Sequence, residues 1–174
     1  MTNFTIRAIS INDLQSLQSI SKQTFTETFA SSNSKENMDK YLNEALSLEK
    51  LTEELNNPNS LFYFIEENDT PIGYLKLNMG ASQTELNDNA ALEIERIYVT
   101  QAYQGKKIGQ QLYEKAIQVA KEKGVEYIWL GVWEENHKAI QFYSKNGFTA
   151  FDKHIFTLGD EEQIDIMMKL PLKP

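Results

Sequence analysis

The chain contains no cysteine. A disulfide framework, a thiolate zinc site and a cysteine nucleophile are thereby excluded, so in any group transfer the attacking atom has to come from the substrate. Histidine is scarce as well. His137 and His154 are the only two, and neither has another histidine or a carboxylate pair at metal-ligand spacing, which predicts no metal site. Apolar runs fall far short of the ~20 residues that span a bilayer, and no basic segment leads into an apolar stretch at the N-terminus. A soluble, cytoplasmic protein without a membrane partner is expected. Positive charge is also in deficit: 17 Lys and Arg stand against 25 Asp and Glu, for a formal charge of -8. That balance opposes the phosphate neutralisation on which most nucleic-acid affinity depends, so nucleic acid is not an expected partner. It is compatible with a cationic ligand.

What is present suffices for one core, since 174 residues at 41% hydrophobic predict a single domain over 1–174. No repeat, low-complexity tract or linker interrupts it. Phe4 to Arg7 alternates as a strand, and Asn12 or Asp13 then precedes Leu14, Leu17, Ile20 and Phe25 at helical spacing. Ser34 opens a second helix carrying Met38, Tyr41, Leu42, Ala45 and Leu46, with further helical turns before Pro58. Leu61 to Ile65, Ile72 to Met79 and Leu92 to Val99 predict an antiparallel meander, with a mobile loop from Gly80 to Ala90. Ile108, Leu112, Ala116, Val119 and Ala120 mark a helix ending at Gly124, and Tyr127 to Val132 follows as a strand. That strand–helix–strand unit predicts a parallel crossover in an otherwise mostly antiparallel sheet, a mixed α/β architecture. A helix through Ala139, Ile140 and Tyr143 and strands near 148–156 and 164–169 complete the chain.

Three segments carry chemistry. Leu92 to Val99 brings two carboxylates, Glu93 and Glu95, two positions apart on a strand, hence on one face unless a bulge intervenes. Gln104-Gly105-Lys106-Lys107-Ile108-Gly109-Gln110 follows it as a small loop entering a helix. Free backbone N–H groups at the positive end of a helix dipole can cradle a pyrophosphate, and glycine allows close approach. Asn136 and Tyr143 lie seven positions apart, two turns along one helix face. Trp129 and Trp133 fit a core better than a ligand platform. Glu66-Glu67, Glu134-Glu135 and Asp160-Glu161-Glu162 offer an acidic rim for a polycation.

The run Gln104 to Gly109 resembles the Q/R-x-x-G-x-G/A coenzyme-A signature of the GNAT superfamily of N-acetyltransferases, with Lys107 where the pattern has its first glycine. Asn136 to Phe148 is similar to that family's N-x-x-A-x-x-x-Y-x-x-x-G-F block. Leu92 to Tyr98, Ile128 to Glu134 and Gly159 to Gln163 resemble the PaiA-type spermidine/spermine N-acetyltransferases. The resemblance implies a GNAT fold, acetyl-CoA as cosubstrate without a metal, and a small cationic amine, of polyamine type, as acceptor; it also allows a homodimer. By the same resemblance the cofactor is held by Ile97, Tyr98, Val99, Gln104, Gly105, Lys106, Lys107, Ile108, Gly109, Gln110, Asn136, Tyr143 and Lys145. A backbone N–H at or near Ile97 is implied to stabilise the thioester oxygen, and Tyr143 to protonate the leaving thiolate. Animal polyamine acetyltransferases point to Glu95 as the base and histone acetyltransferases to Glu93, with Glu95 preferred. The alternatives are a peptide or protein N-acetyltransferase, and a non-catalytic acetyl-CoA-binding regulator.

Overall fold

A computed structural model describes residues 3–172 of the chain. Its elements run β1 (Phe4–Ala8), α1 (Leu14–Phe29), α2 (Lys35–Glu44), α3 (Leu48–Asn56), β2 (Ser60–Glu67), β3 (Thr70–Met79), β4 (Ala91–Val99), α4 (Ile108–Lys123), β5 (Tyr127–Trp133), α5 (His137–Lys145), β6 (Thr149–Leu158) and β7 (Glu161–Pro171). The strands form one sheet in the order β1-β2-β3-β4-β5-β7-β6, antiparallel except where β4 meets β5. The mixed α/β architecture and the parallel crossover through α4 are thus both present. No helix among the described residues is long and apolar enough to cross a membrane.

Helix ends follow local chemistry. Ser34 and Ser47 accept hydrogen bonds from the amides of Asn37 and Lys50, each at 3.1 Å, and so start α2 and α3. Gly124, left-handed at φ 70°, closes α4. The last hairpin runs beyond its apolar stretches, with pairing from Thr149–Lys169 to Leu158–Glu161. Polar residues are accommodated there because β6 is an edge strand, exposed along much of its length.

The sheet buries a different layer on each side. Leu75, Leu77, Leu92, Ile94, Ile128 and Leu130 pack with Ile108, Leu112, Ala116, Val119 and Ala120 of α4. Phe62, Phe64 and Tyr74 pack on the other side with Leu17, Ile20, Phe25, Phe29, Met38 and Leu51 of α1 to α3. Burying each of these large side chains stabilises the fold by roughly 1.5 to 3 kcal/mol.

Two features prepare the site. Lys76 pairs with Arg96 and Leu77 with Ile94, which leaves Glu95 as an extra residue in β4. Such a bulge resets the alternation. Ile94 and Ile97 both pack toward α4, whereas Arg96 reaches Glu54 of α3 on the opposite side and Glu95 pairs with Arg96. The second feature corrects an expectation. The polar composition of 80–90 predicts a mobile loop, yet the segment is tied at several points. The Ser82 hydroxyl donates to Asn59 O at 2.7 Å, the buried Gln83 accepts from Trp129 Nε1 at 2.6 Å, and Thr84 donates twice to Glu93.

Candidate active site

Pairing between β4 and β5 runs only from Ala91–Tyr127 to Ile94–Leu130, although β4 continues to Val99 and β5 to Trp133. Beyond that point the two strands part. Two cavities occupy the opening, one of about 370 Å³ and one of about 770 Å³. Thr28, Ile97, Tyr98, Asn136, Ala139 and Tyr143 line both, so the two spaces meet at Tyr143.

The larger cavity is a cleft over the start of α4. Lys107 is the N-cap residue, at φ 63° and ψ 20°, in a left-handed conformation that costs a residue with a Cβ about 1 to 2 kcal/mol. The family pattern's glycine at this position has that geometric meaning. No side chain caps α4 and no acidic residue occupies its first turn, so the first-turn amides lack a side-chain acceptor. A Cβ added at Gly105 or Gly109 would meet no protein atom within 4 Å. Open space above uncapped amides suits a pyrophosphate. Of the residues expected to hold the cofactor, Ile97, Tyr98, Val99, Gln104, Gly105, Lys107, Ile108, Gly109, Gln110, Asn136 and Tyr143 all line this cleft. Lys106 and Lys145 line neither cavity; Lys106 instead lies 5.2 Å from the Tyr103 ring centroid.

Asn136 is also the N-cap of α5, its Oδ1 accepting from Ala139 N at 3.2 Å. Tyr143 is buried, with its ring edge-on to Phe142 and Phe148. Its hydroxyl has no hydrogen-bond partner among the described residues. Burial pushes this phenol up, with nearby Tyr113 adding to the effect, so it stays protonated at neutral pH.

The smaller cavity holds both strand carboxylates, in contrasting settings. Glu93 is 3% exposed and accepts from Asn78 Nδ2 at 3.0 Å, Thr84 N at 2.9 Å and Thr84 Oγ1 at 2.5 Å. Burial raises its pKa despite these bonds. For Glu95 burial also pushes upward, but Arg96 and Lys76 outweigh it and hold the carboxyl at about 2. Glu95 lies 2.6 Å from Lys76 Nζ and 3.1 Å from Arg96 Nη2, and Glu54 of α3 bonds Arg96 at 2.9 and 3.2 Å and lies 3.5 Å from Lys76. This buried quartet balances two cations with two anions. Asn78 joins it to Glu93 by donating to Glu95 as well, at 2.7 Å.

Glu85 and Asp165, not singled out from sequence, also line this cavity, as does His154, which the sequence marked only as lacking metal-ligand spacing. The expected acidic rim does not. Glu66 is buried against Arg7, Glu67 accepts from the Tyr103 hydroxyl, and Asp160 accepts from Asn37 at 2.8 Å. Glu66, Glu67 and Asp160 are taken up by partners distant in sequence, whereas the cavity draws its carboxylates from β4, β7 and a loop.

The chain is similar to known proteins over most of its length. The family model described as Acetyltransferase (GNAT) family matches residues 14–148. An uncharacterised N-acetyltransferase from Lactobacillus delbrueckii subsp. lactis is 41% identical over 172 residues, 99% of either chain. A spermidine N(1)-acetyltransferase from Thermoplasma acidophilum is 32% identical over 151 residues, covering 84% of this chain and 89% of that one. Among solved structures, the PaiA N-acetyltransferase from Thermoplasma acidophilum in complex with coenzyme A superposes with a TM-score of 0.80 at 30% identity, covering 97% of this chain and 99% of that one.

Proposed function

Since the chain belongs to the Acetyltransferase (GNAT) family and moves acetyl groups from acetyl-CoA to nitrogen, we propose that its acceptor is a small cationic amine of the polyamine class. The observation that carries this reading is the charge lining the smaller cavity. Glu85, Glu93, Glu95 and Asp165 face it against one arginine, Arg96, which is itself bound to Glu54 and Glu95. The likeness to a spermidine N(1)-acetyltransferase agrees with it.

Acetyl-CoA supplies an activated acetyl thioester; its pyrophosphate fits the amides of Lys107 to Gln110, and its pantetheine arm fits the cleft past Asn136. An acceptor amine near pKa 10.4 is protonated at neutral pH, and removing that proton costs about 4 to 5 kcal/mol. Glu93 is the better base, because burial raises it toward working pH while the ion quartet holds Glu95 at about 2. This reverses the preference drawn from resemblance. The Thr84 hydroxyl, bonded to Glu93, offers a relay for the proton. Past Ile94, β4 has lost its β5 partner, so the backbone N–H at Ile97 is a candidate donor to the thioester oxygen as charge develops there. Tyr143 stands where the cavities meet. Its raised phenol makes full proton transfer to a thiol near 8.5 uphill, so the hydroxyl acts first by hydrogen bonding to the departing sulfur.

Turnover of acetyl-CoA over a panel of amines, with products read by mass spectrometry, tests the acceptor. Spermidine or spermine should show the highest kcat/KM, and its KM should rise with salt. A higher kcat/KM for a peptide or neutral amine at both low and high salt overturns the acceptor reading and leaves acetyl transfer standing.

A further inference from the structure

On β5 the alternation Trp129, Gly131, Trp133 puts two indoles on one face with no side chain between them. A Cβ at Gly131 would lie 3.4 Å from His154 Cε1 and 3.5 Å from Asp165 Oδ2. The glycine therefore leaves the imidazole and the carboxylate as the cavity wall. His154 and Asp165 are cross-strand partners of β6 and β7. His154 Nε2 lies 3.9 Å from Asp165 Oδ2 and 3.5 Å from Glu85 Oε1. Glu85 is brought there by the loop that Gln83 and Thr84 tie to Trp129 and Glu93. All three line the smaller cavity only, in the part the cofactor cleft does not share.

We infer that Asp165 and Glu85, bracketing His154, bind a second ammonium group of the acceptor and so select diamines and polyamines over monoamines. The inference rests on the polyamine reading and assigns it a place. Glu93 and Glu95 already accept several hydrogen bonds each. Asp165 and Glu85 accept none among the described residues; the Glu85 side chain is 41% exposed and open to water, but the Asp165 side chain is only 16% exposed. His154 Nδ1 is buried without a partner as well. Polar groups so enclosed are ordinarily satisfied, and an alkylammonium, with three donors and one positive charge, matches what is missing. The local electrostatics agree, since burial raises the Asp165 carboxyl, His154 pulls it back and Glu85 raises it again. A metal ion is a poorer match, because no group of three or more His, Asp or Glu among the described residues is arranged to hold one.

The test compares kcat/KM for 1,4-diaminobutane and spermidine with that for monoamines of equal length. Asp165→Asn keeps shape and removes charge, and should lower the diamine-to-monoamine ratio about tenfold, mainly through the diamine KM. Gly131→Ala keeps every charge but fills the gap, and should lower the same ratio. A ratio unchanged in both folded variants, or an equal loss for both amine classes, overturns the subsite alone. Wild-type enzyme that turns over monoamines as well as diamines at low salt overturns the subsite and the polyamine reading together.

Discussion

The cofactor cleft and the acceptor cavity meet at Tyr143, yet they are built from different material. The cleft offers backbone: the uncapped first turn of α4 and glycines at 105 and 109 with open space above them. The cavity offers side chains, gathered from α1, α2, α5, the loop at 84–85 and five strands. A backbone cradle depends on local conformation and accepts any cofactor with the right phosphate. A side-chain cavity depends on tertiary register, so single substitutions can retune its acceptor without disturbing the cleft. The same contrast recurs inside the cavity, where Glu93 keeps a raised pKa and Glu95 is spent on the ion quartet.

The pair Glu93→Gln and Glu95→Gln tests that division most severely. Glu93→Gln should lower kcat/KM by about 10²- to 10⁴-fold with little loss of stability, because it removes a base but leaves no buried charge unpaired. Glu95→Gln should instead cost on the order of 3 kcal/mol in chemical denaturation, since Lys76 and Arg96 would retain only Glu54. The pH dependences should separate as well. The acid limb of kcat/KM should lie above the ordinary glutamate value, because a raised Glu93 must be ionised to work. Glu95, lowered from 4.5 to about 2, contributes stability that is present above pH 4.5 and lost as pH falls through about 2. In Glu95→Gln that acid loss should shrink. Reversed outcomes for the two variants would return the base to Glu95.

Where the regions meet, Tyr143→Phe keeps the aromatic packing and deletes the hydroxyl. It should slow single-turnover acetyl transfer by about 10²-fold with little change in cofactor affinity. An unchanged rate would leave Tyr143 a packing residue. On the cleft side, Gly109→Asp puts a carboxylate where an anion is expected and should weaken acetyl-CoA binding about tenfold or more by calorimetry, with the acceptor KM little altered. The smallest effect belongs to Lys107→Gly. Relief of the left-handed backbone should raise stability by about 0.5 to 1 kcal/mol, net of glycine's greater freedom in the unfolded chain.

Much of the cleft was legible in the sequence because its parts are contiguous. The strand Leu92 to Val99, the loop from Gln104 to Gln110 and the block from Asn136 to Phe148 each carry their meaning within about a dozen residues, and periodicity placed the helices around them. The cavity was legible only in outline. The bulge at Glu95 arises from how β3 and β4 pair, which no local pattern encodes. Lys76, Asn78 and Glu54 carry no local signal; tertiary packing brings Lys76 and Asn78 to the strand carboxylates and Glu54 to Lys76 and Arg96. A polar loop read as mobile because its anchors, Trp129 and Glu93, lie on other strands. Charge runs drew attention to Asp160 and Glu66, whereas the cavity's own carboxylates stand singly in the sequence.

In the proposed mechanism acetyl passes directly between two substrates held at once in cavities that meet at Tyr143. Initial-rate kinetics with acetyl-CoA and spermidine varied together test it most directly. Intersecting double-reciprocal lines, with no acetyl group retained on the protein after mixing with acetyl-CoA alone, are the predicted result. Parallel lines together with a stoichiometric acetyl-enzyme would contradict it.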